Sequence, residues 1–103
     1  MSDIILVTGV IDLDPAKRDD AIAVLNAAME ATRAEDGCEH YVFSADLNDP
    51  GRFHVSEQWR DQAANDGHSA GPALAALMGA MGSLGVTGAS LTAWTGAEPK
   101  KLM

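Results

Sequence analysis

Residues 53–59 alternate with a period of two. Phe53, Val55, Glu57 and Trp59 fall on one face and His54, Ser56 and Gln58 on the other, as a half-buried strand requires. Residues 4–11 are instead β-branched and almost continuously apolar, which predicts a strand covered on both faces, central in a sheet or at an interface. Asp14-Pro15 then predicts a helix start, with Asp14 as N-cap and Pro15 at a position where a missing N–H costs nothing. Ala21, Ile22, Val24, Leu25, Ala28, Met29 and Thr32 follow at spacings of three and four, the stripe of an amphipathic helix of about five turns. Gly37 is placed to stop it.

Residues 38–47 predict a second strand with Tyr41, Phe43, Ala45 and Leu47 on one face. Asn48-Asp49-Pro50-Gly51 is a turn that returns the chain into the Phe53 strand as a hairpin. Asp61 offers an N-cap for a short helical stretch carrying His68, interrupted by Gly67 and restarted after Gly71-Pro72. In the second piece Leu74, Leu77, Met78, Met81 and Leu84 form an apolar stripe, and Gly85 is expected to close it. A last strand spans residues 87–96. The order is β-α-β-β-α-β, which predicts an α+β, ferredoxin-like sandwich: a four-stranded antiparallel sheet with both helices on one side. Residues 1–97 form one domain and 98–103 a tail. The uncovered sheet face is expected to be apolar and to pair with a second copy as a homodimer.

Composition narrows the functional classes. Fifteen acidic against seven basic side chains in 103 residues give a net charge of -8, which repels phosphate backbones and anionic membranes, so no nucleic acid and no membrane partner is expected. The single Cys38 cannot form an internal disulfide, and residues 1–3 lead into a strand without a basic secretory leader, so a cytoplasmic location is expected. Residues 70–86 are apolar, but their glycines, alanines and Pro72 suit a packed helix better than a membrane span of roughly 20 residues.

With this order in hand, the chain resembles the antibiotic biosynthesis monooxygenase family of dimeric α/β barrels. The matching features are Gly37-Cys38 entering a strand with Tyr41-x-Phe43, Asp46 before Asp49-Pro50-Gly51, Phe53-x-Val55-x-Glu57-x-Trp59, and then His68. The resemblance implies two sheets packed face to face as a barrel and a cleft in each protomer between sheet and helices. It implies an activity drawn from cofactor-free oxygenation of phenols and quinols, haem degradation, or isomerisation of a small signalling sugar. Haem-degrading relatives use a histidine on the second long helix and an asparagine on strand one; here Leu77, Met78 and Met81, and Val7 and Thr8, stand there. A second histidine found in many relatives shortly after His68 is replaced by Gly71-Pro72-Ala73.

Glu57 is the chemical anomaly, because a carboxylate flanked on its own face by valine and tryptophan is expensive to bury and needs a partner, partial access to water or a held proton. It either orients His68 or accepts a substrate hydroxyl, or forms a salt bridge with Arg52, Arg60 or a basic residue of a second protomer. His68 is the expected general base, with a backbone-bonded helix-end histidine as its structural counterpart. Trp59, Tyr41, Phe53, Val55 and Met78 are expected to bind substrate, Trp59 by stacking and Tyr41 by donating a hydrogen bond, with core packing as the alternative role of Trp59, Tyr41 and Met78. His40 and His54 lie on neighbouring strands without a third ligand, so no metal is expected, and no phosphate loop, dinucleotide fingerprint or nucleophile elbow is present. The expected function is a cofactor-independent monooxygenase of a small phenol or quinol. The alternatives are isomerisation of a small carbonyl metabolite, and a non-catalytic ligand-binding dimer.

Overall fold

The computed structural model describes residues 3–103; Met1 and Ser2 of the expected domain lie outside the described residues. The strands are β1 (Ile5–Leu13), β2 (Cys38–Ala45), β3 (Arg52–Trp59) and β4 (Val86–Trp94), and the helices are α1 (Arg18–Arg33), α2 (Gln62–Ser69) and α3 (Pro72–Met81). They form one antiparallel sheet in the order β2-β3-β1-β4. The α+β, ferredoxin-like architecture is therefore as the sequence predicts, with β1 central. β2 is shorter than expected. It stops at Ala45 because the Asp46 carboxylate caps the turn, accepting from the Asn48 and Asp49 amides at 2.8 and 3.0 Å, and Leu47 is left 98% exposed.

The helix starts follow their caps. Asp14 Oδ1 accepts from Ala16 N at 2.9 Å and opens a short 3-10 turn at Pro15–Lys17 before α1. Asp61 Oδ1 accepts from Ala64 N at 2.9 Å and starts α2. The inner face of the sheet, Ile5, Val7, Ile11 and Leu13 of β1 with Phe53, Val55, Glu57 and Trp59 of β3, packs under the helices. Ala21, Leu25 and Ala28 come down onto it from α1, and Leu77 from α3.

The outer face differs from the apolar surface expected. Cross-strand register places Leu6, Val10, Val42 and Trp94 there, but among Thr8, Ser44, His54, Ser56, Ser90, Thr92 and His40. Only β1 is apolar at both parities; its neighbours alternate, and their polar sets share this face. The polar groups are tied down laterally: His40 to Ser56 Oγ at 3.1 Å, His54 to Asp46 Oδ2 at 2.7 Å, and Trp94 Nε1 donates to Thr8 Oγ1 at 2.9 Å. Beyond its first residue β4 is exposed along its length.

Among the described residues, no helix is long and apolar enough to cross a membrane. Residues 70–86, where that question arose, hold α3 and the turn after it.

Candidate active site

β3 carries the site outward from the core. Its inward parity sends Glu57 into the space between the sheet and α3, with Tyr41 of β2 and Val7 of β1 as its cross-strand neighbours. Ile11, Tyr41, Phe43, Val55, Glu57, Leu74, Leu77, Met78, Met81 and Leu91 line a narrow cleft of about 50 Å³ there. Glu57 is only 8% exposed, and Trp59 Nε1 donates to its Oε1 at 2.9 Å. The expected arginine partners are engaged elsewhere: Arg52 with Asp12 at 2.7 Å, and Arg60 with Asp36 at 3.0 Å and Asp61 at 3.5 Å. Among the described residues, no cationic nitrogen lies in ion-pair range of Glu57. Burial pushes its carboxyl above the usual glutamate range, against the Trp59 hydrogen bond and the nearby His68 ring, which pull it down.

Tyr41 is buried, and burial together with the Glu57 charge pushes its phenol up to about 12. It therefore remains a hydrogen-bond donor at neutral pH. Thr32 of α1 lies beside it, yet the two miss hydrogen-bond geometry and Thr32 Oγ1 stays unpaired in the core.

His68 sits one helical turn after Ala64, on the same buried face of α2. Its ring stacks on Trp59, with centroids 4.7 Å apart at 28°, and meets Tyr41 edge-on at 5.4 Å. The partner that orients it is Glu35, not Glu57: Nδ1 and Glu35 Oε1 are 2.7 Å apart. Glu35 reaches this place because Gly37 turns the chain at φ +81 and its carbonyl accepts from Arg60 N at 2.8 Å, fastening the turn after α1 to the end of β3. His68, Glu35, Asp36 and Arg60 border an open groove of about 410 Å³, separate from the Glu57 cleft.

The residues expected from sequence are thus distributed over three places. Glu57, Tyr41, Val55 and Met78 meet in the cleft. Trp59 is fully buried behind Glu57 and carries His68 on its face. Phe53 lines a second cavity of about 230 Å³ under α1 with Ile22, Leu25, Asn26, Met29, Phe43 and Ala45, and Arg18 lies 5.6 Å over its ring. Glu35 was missed by sequence reasoning, although a signal existed. An acidic side chain just beyond a helix C-terminus opposes the helix dipole and calls for a cation, and His68 and Arg60 answer for Glu35 and Asp36 respectively. Among the described residues, no three His, Cys, Asp or Glu side chains converge as a metal site.

The family model for antibiotic biosynthesis monooxygenases matches residues 4–80. A solved structure from Deinococcus radiodurans, named as a candidate antibiotic biosynthesis monooxygenase, is 30% identical with a TM-score of 0.88, over 96% of this chain and 98% of that one. A Mycobacterium tuberculosis protein shares the fold at 24% identity and a TM-score of 0.83, over 95% of this chain and 99% of its own. An uncharacterised Synechocystis protein is 38% identical over 66 residues, 64% of this chain and 45% of that protein. The chain therefore spans less than half the length of this curated relative.

Proposed function

From the premise that this chain belongs to the antibiotic biosynthesis monooxygenase family, matched over residues 4–80, we propose that it is a cofactor-independent monooxygenase of small electron-rich phenols or quinols. The observation that carries this reading is a buried carboxylate, held by one indole N–H and by no cation among the described residues, facing an apolar cleft. Glu57 takes the phenolic proton, and its raised proton affinity suits that task. Tyr41 donates to a substrate oxygen. The resulting anion is itself the electron donor to dioxygen; with hydroquinone one oxygen atom enters the ring and the other leaves as water, giving a hydroxyquinone. Val55, Met78 and Leu91 hold the ring away from solvent.

Two features bear on the substrate. Apolar walls with only Glu57 and Tyr41 as polar groups favour a planar aromatic over a sugar-like carbonyl compound. The cleft of about 50 Å³ is also well below the ~150 Å³ in which an engineered cavity holds benzene. A ring enters only if Met78 and Leu91, 59% and 54% exposed, swing aside; the unbranched methionine does so at little cost.

Oxygen uptake with a panel of hydroquinones and naphthols tests the reaction. Uptake with hydroxyquinone as product from the hydroquinones and quinone from the naphthols supports it, whereas carbonyl isomerisation without uptake, or ligand binding without turnover, replaces it.

The same reading includes a homodimer closed through the outer sheet face, supported by the exposure of β4 and of Trp94, 55% exposed, whose register with Leu6 places it on that face. Sedimentation at twice the 10.8 kDa chain mass is expected, and a monomer at micromolar concentration contradicts it.

A further inference from the structure

The Glu57 chemistry leaves unexplained a second acid–base pair, Glu35 and His68. The imidazole is 5% exposed, 2.7 Å from the carboxylate, and borders the groove that shares no lining residue with the cleft. A carboxylate accepts hydrogen bonds and does not donate them, so Nδ1 carries the proton and the ring is held in one orientation. That ring lies on Trp59 at 4.7 Å and 28°, and Trp59 Nε1 donates to Glu57 at 2.9 Å.

We propose that Glu35 is a positioning residue for Glu57, acting through the His68 ring and the Trp59 indole. Glu35 seats the imidazole, the imidazole fixes the indole, and the indole N–H keeps the carboxylate poised as a base. The inference rests on the reading of Glu57 as that base. Glu35 gains no helix stabilisation where it stands, since it adds to the negative end of α1, and its cost is repaid through His68.

The groups facing Glu57 are few. His68 comes from α2, Glu35 from the turn after α1, Tyr41 and Cys38 from β2, and Trp59 from its own strand. β1 and α3 bring Val7, Ile11, Leu74, Leu77, Met78 and Met81, none of which titrates. The Trp59 hydrogen bond and His68 favour the ionised form of Glu57, whereas the Glu35 charge opposes it as the smallest influence. Truncating Glu35 loosens both favourable contacts and removes only the smallest unfavourable one.

Glu35→Ala and Glu35→Gln separate position from charge, because the glutamine amide oxygen still accepts from His68 Nδ1–H. Glu35→Ala is expected to lower kcat/KM at pH 6 by about three- to tenfold while leaving the alkaline plateau within about twofold, since its acidic limb moves to higher pH. Glu35→Gln keeps the acidic limb at or below the wild-type position.

A readout independent of turnover uses Trp59 as the sole indole in a Trp94→Phe background. The imidazole stacked on it at 4.7 Å quenches its emission, and Glu35→Gln retains that quenching whereas Glu35→Ala loses it. If no phenol is oxidised, the reaction assignment fails and the emission alone decides the positioning role. Glu35→Ala with both the wild-type acidic limb and the wild-type emission overturns the proposal, as does wild-type emission alone where nothing turns over.

Discussion

Glu57→Gln is expected to lower oxygen-dependent turnover by about 10²- to 10⁴-fold, the usual worth of a positioned acid–base group, while raising the midpoint of thermal unfolding at pH 7.5. The two effects have one cause. Glu57 is buried without a cation in ion-pair range among the described residues, and its carboxyl is held above the ordinary range chiefly by desolvation. A group whose folded-state pKa is raised contributes stability that is fully present below its unfolded value and lost as pH rises through the folded one. At neutral pH the ionised carboxylate therefore costs the fold free energy that a neutral amide does not. Glutamine still accepts from Trp59 Nε1 but cannot take a proton. The stability difference between variant and wild type should shrink as pH falls toward the ordinary glutamate range, read by calorimetry from pH 4 to 8. A variant as active as wild type would remove Glu57 from the chemistry.

The second large effect is expected at Trp59, which is fully buried, stacks on His68 and supplies the Glu57 hydrogen bond. Trp59→Ala empties the space between α2 and the sheet and should cost about 3–5 kcal/mol, a large share of the roughly 5–15 kcal/mol that holds a domain together. Trp59→Phe keeps an aromatic face for His68 and loses only the N–H and the smaller part of the ring system. It should cost about 1–3 kcal/mol, because Glu57 loses its donor inside the core, and Glu57 should then titrate at still higher pH. Urea unfolding at pH 5 and pH 8 separates the contributions: the Trp59→Phe penalty should be larger at pH 8, where an unassisted carboxylate must be ionised. Equal penalties at both pH values would show that the indole acts by packing alone.

The strands and their order were legible because their information is local. The alternation of Phe53, Val55, Glu57 and Trp59 identifies a half-buried strand by itself, and the caps Asp14 and Asp61 accept the amides their positions predict. The alternation put Glu57 on the face of Phe53, Val55 and Trp59 but left open which side of the sheet that face occupies; the helices settle it, and Glu57 is buried beneath them. Its partner was not legible, since Arg52 and Arg60 flank Glu57 in sequence but project to the outer sheet face and the α1 turn, where Asp12 and Asp36 hold them. The link between Glu35 and His68 spans 33 residues, and only the fold brings those two ends together. The outer sheet face was misjudged because one strand was taken for four: the apolar run of β1 sits among strands whose serines, threonines and histidines share its outward parity. Phe53 shares the parity of Glu57, yet α1 rather than α3 covers it, which places it in the second cavity.

The claim at the centre of this account is that Glu57 is a buried carboxyl poised to exchange a proton with a phenol in the cleft. The most direct measurement is its own titration, followed by carboxyl-selective carbon NMR with the signal assigned by its loss in Glu57→Gln. The account predicts a midpoint well above the ~4.3 of a free glutamate, rising further in Trp59→Phe. A midpoint at or below the ordinary value, insensitive to the indole, would contradict it.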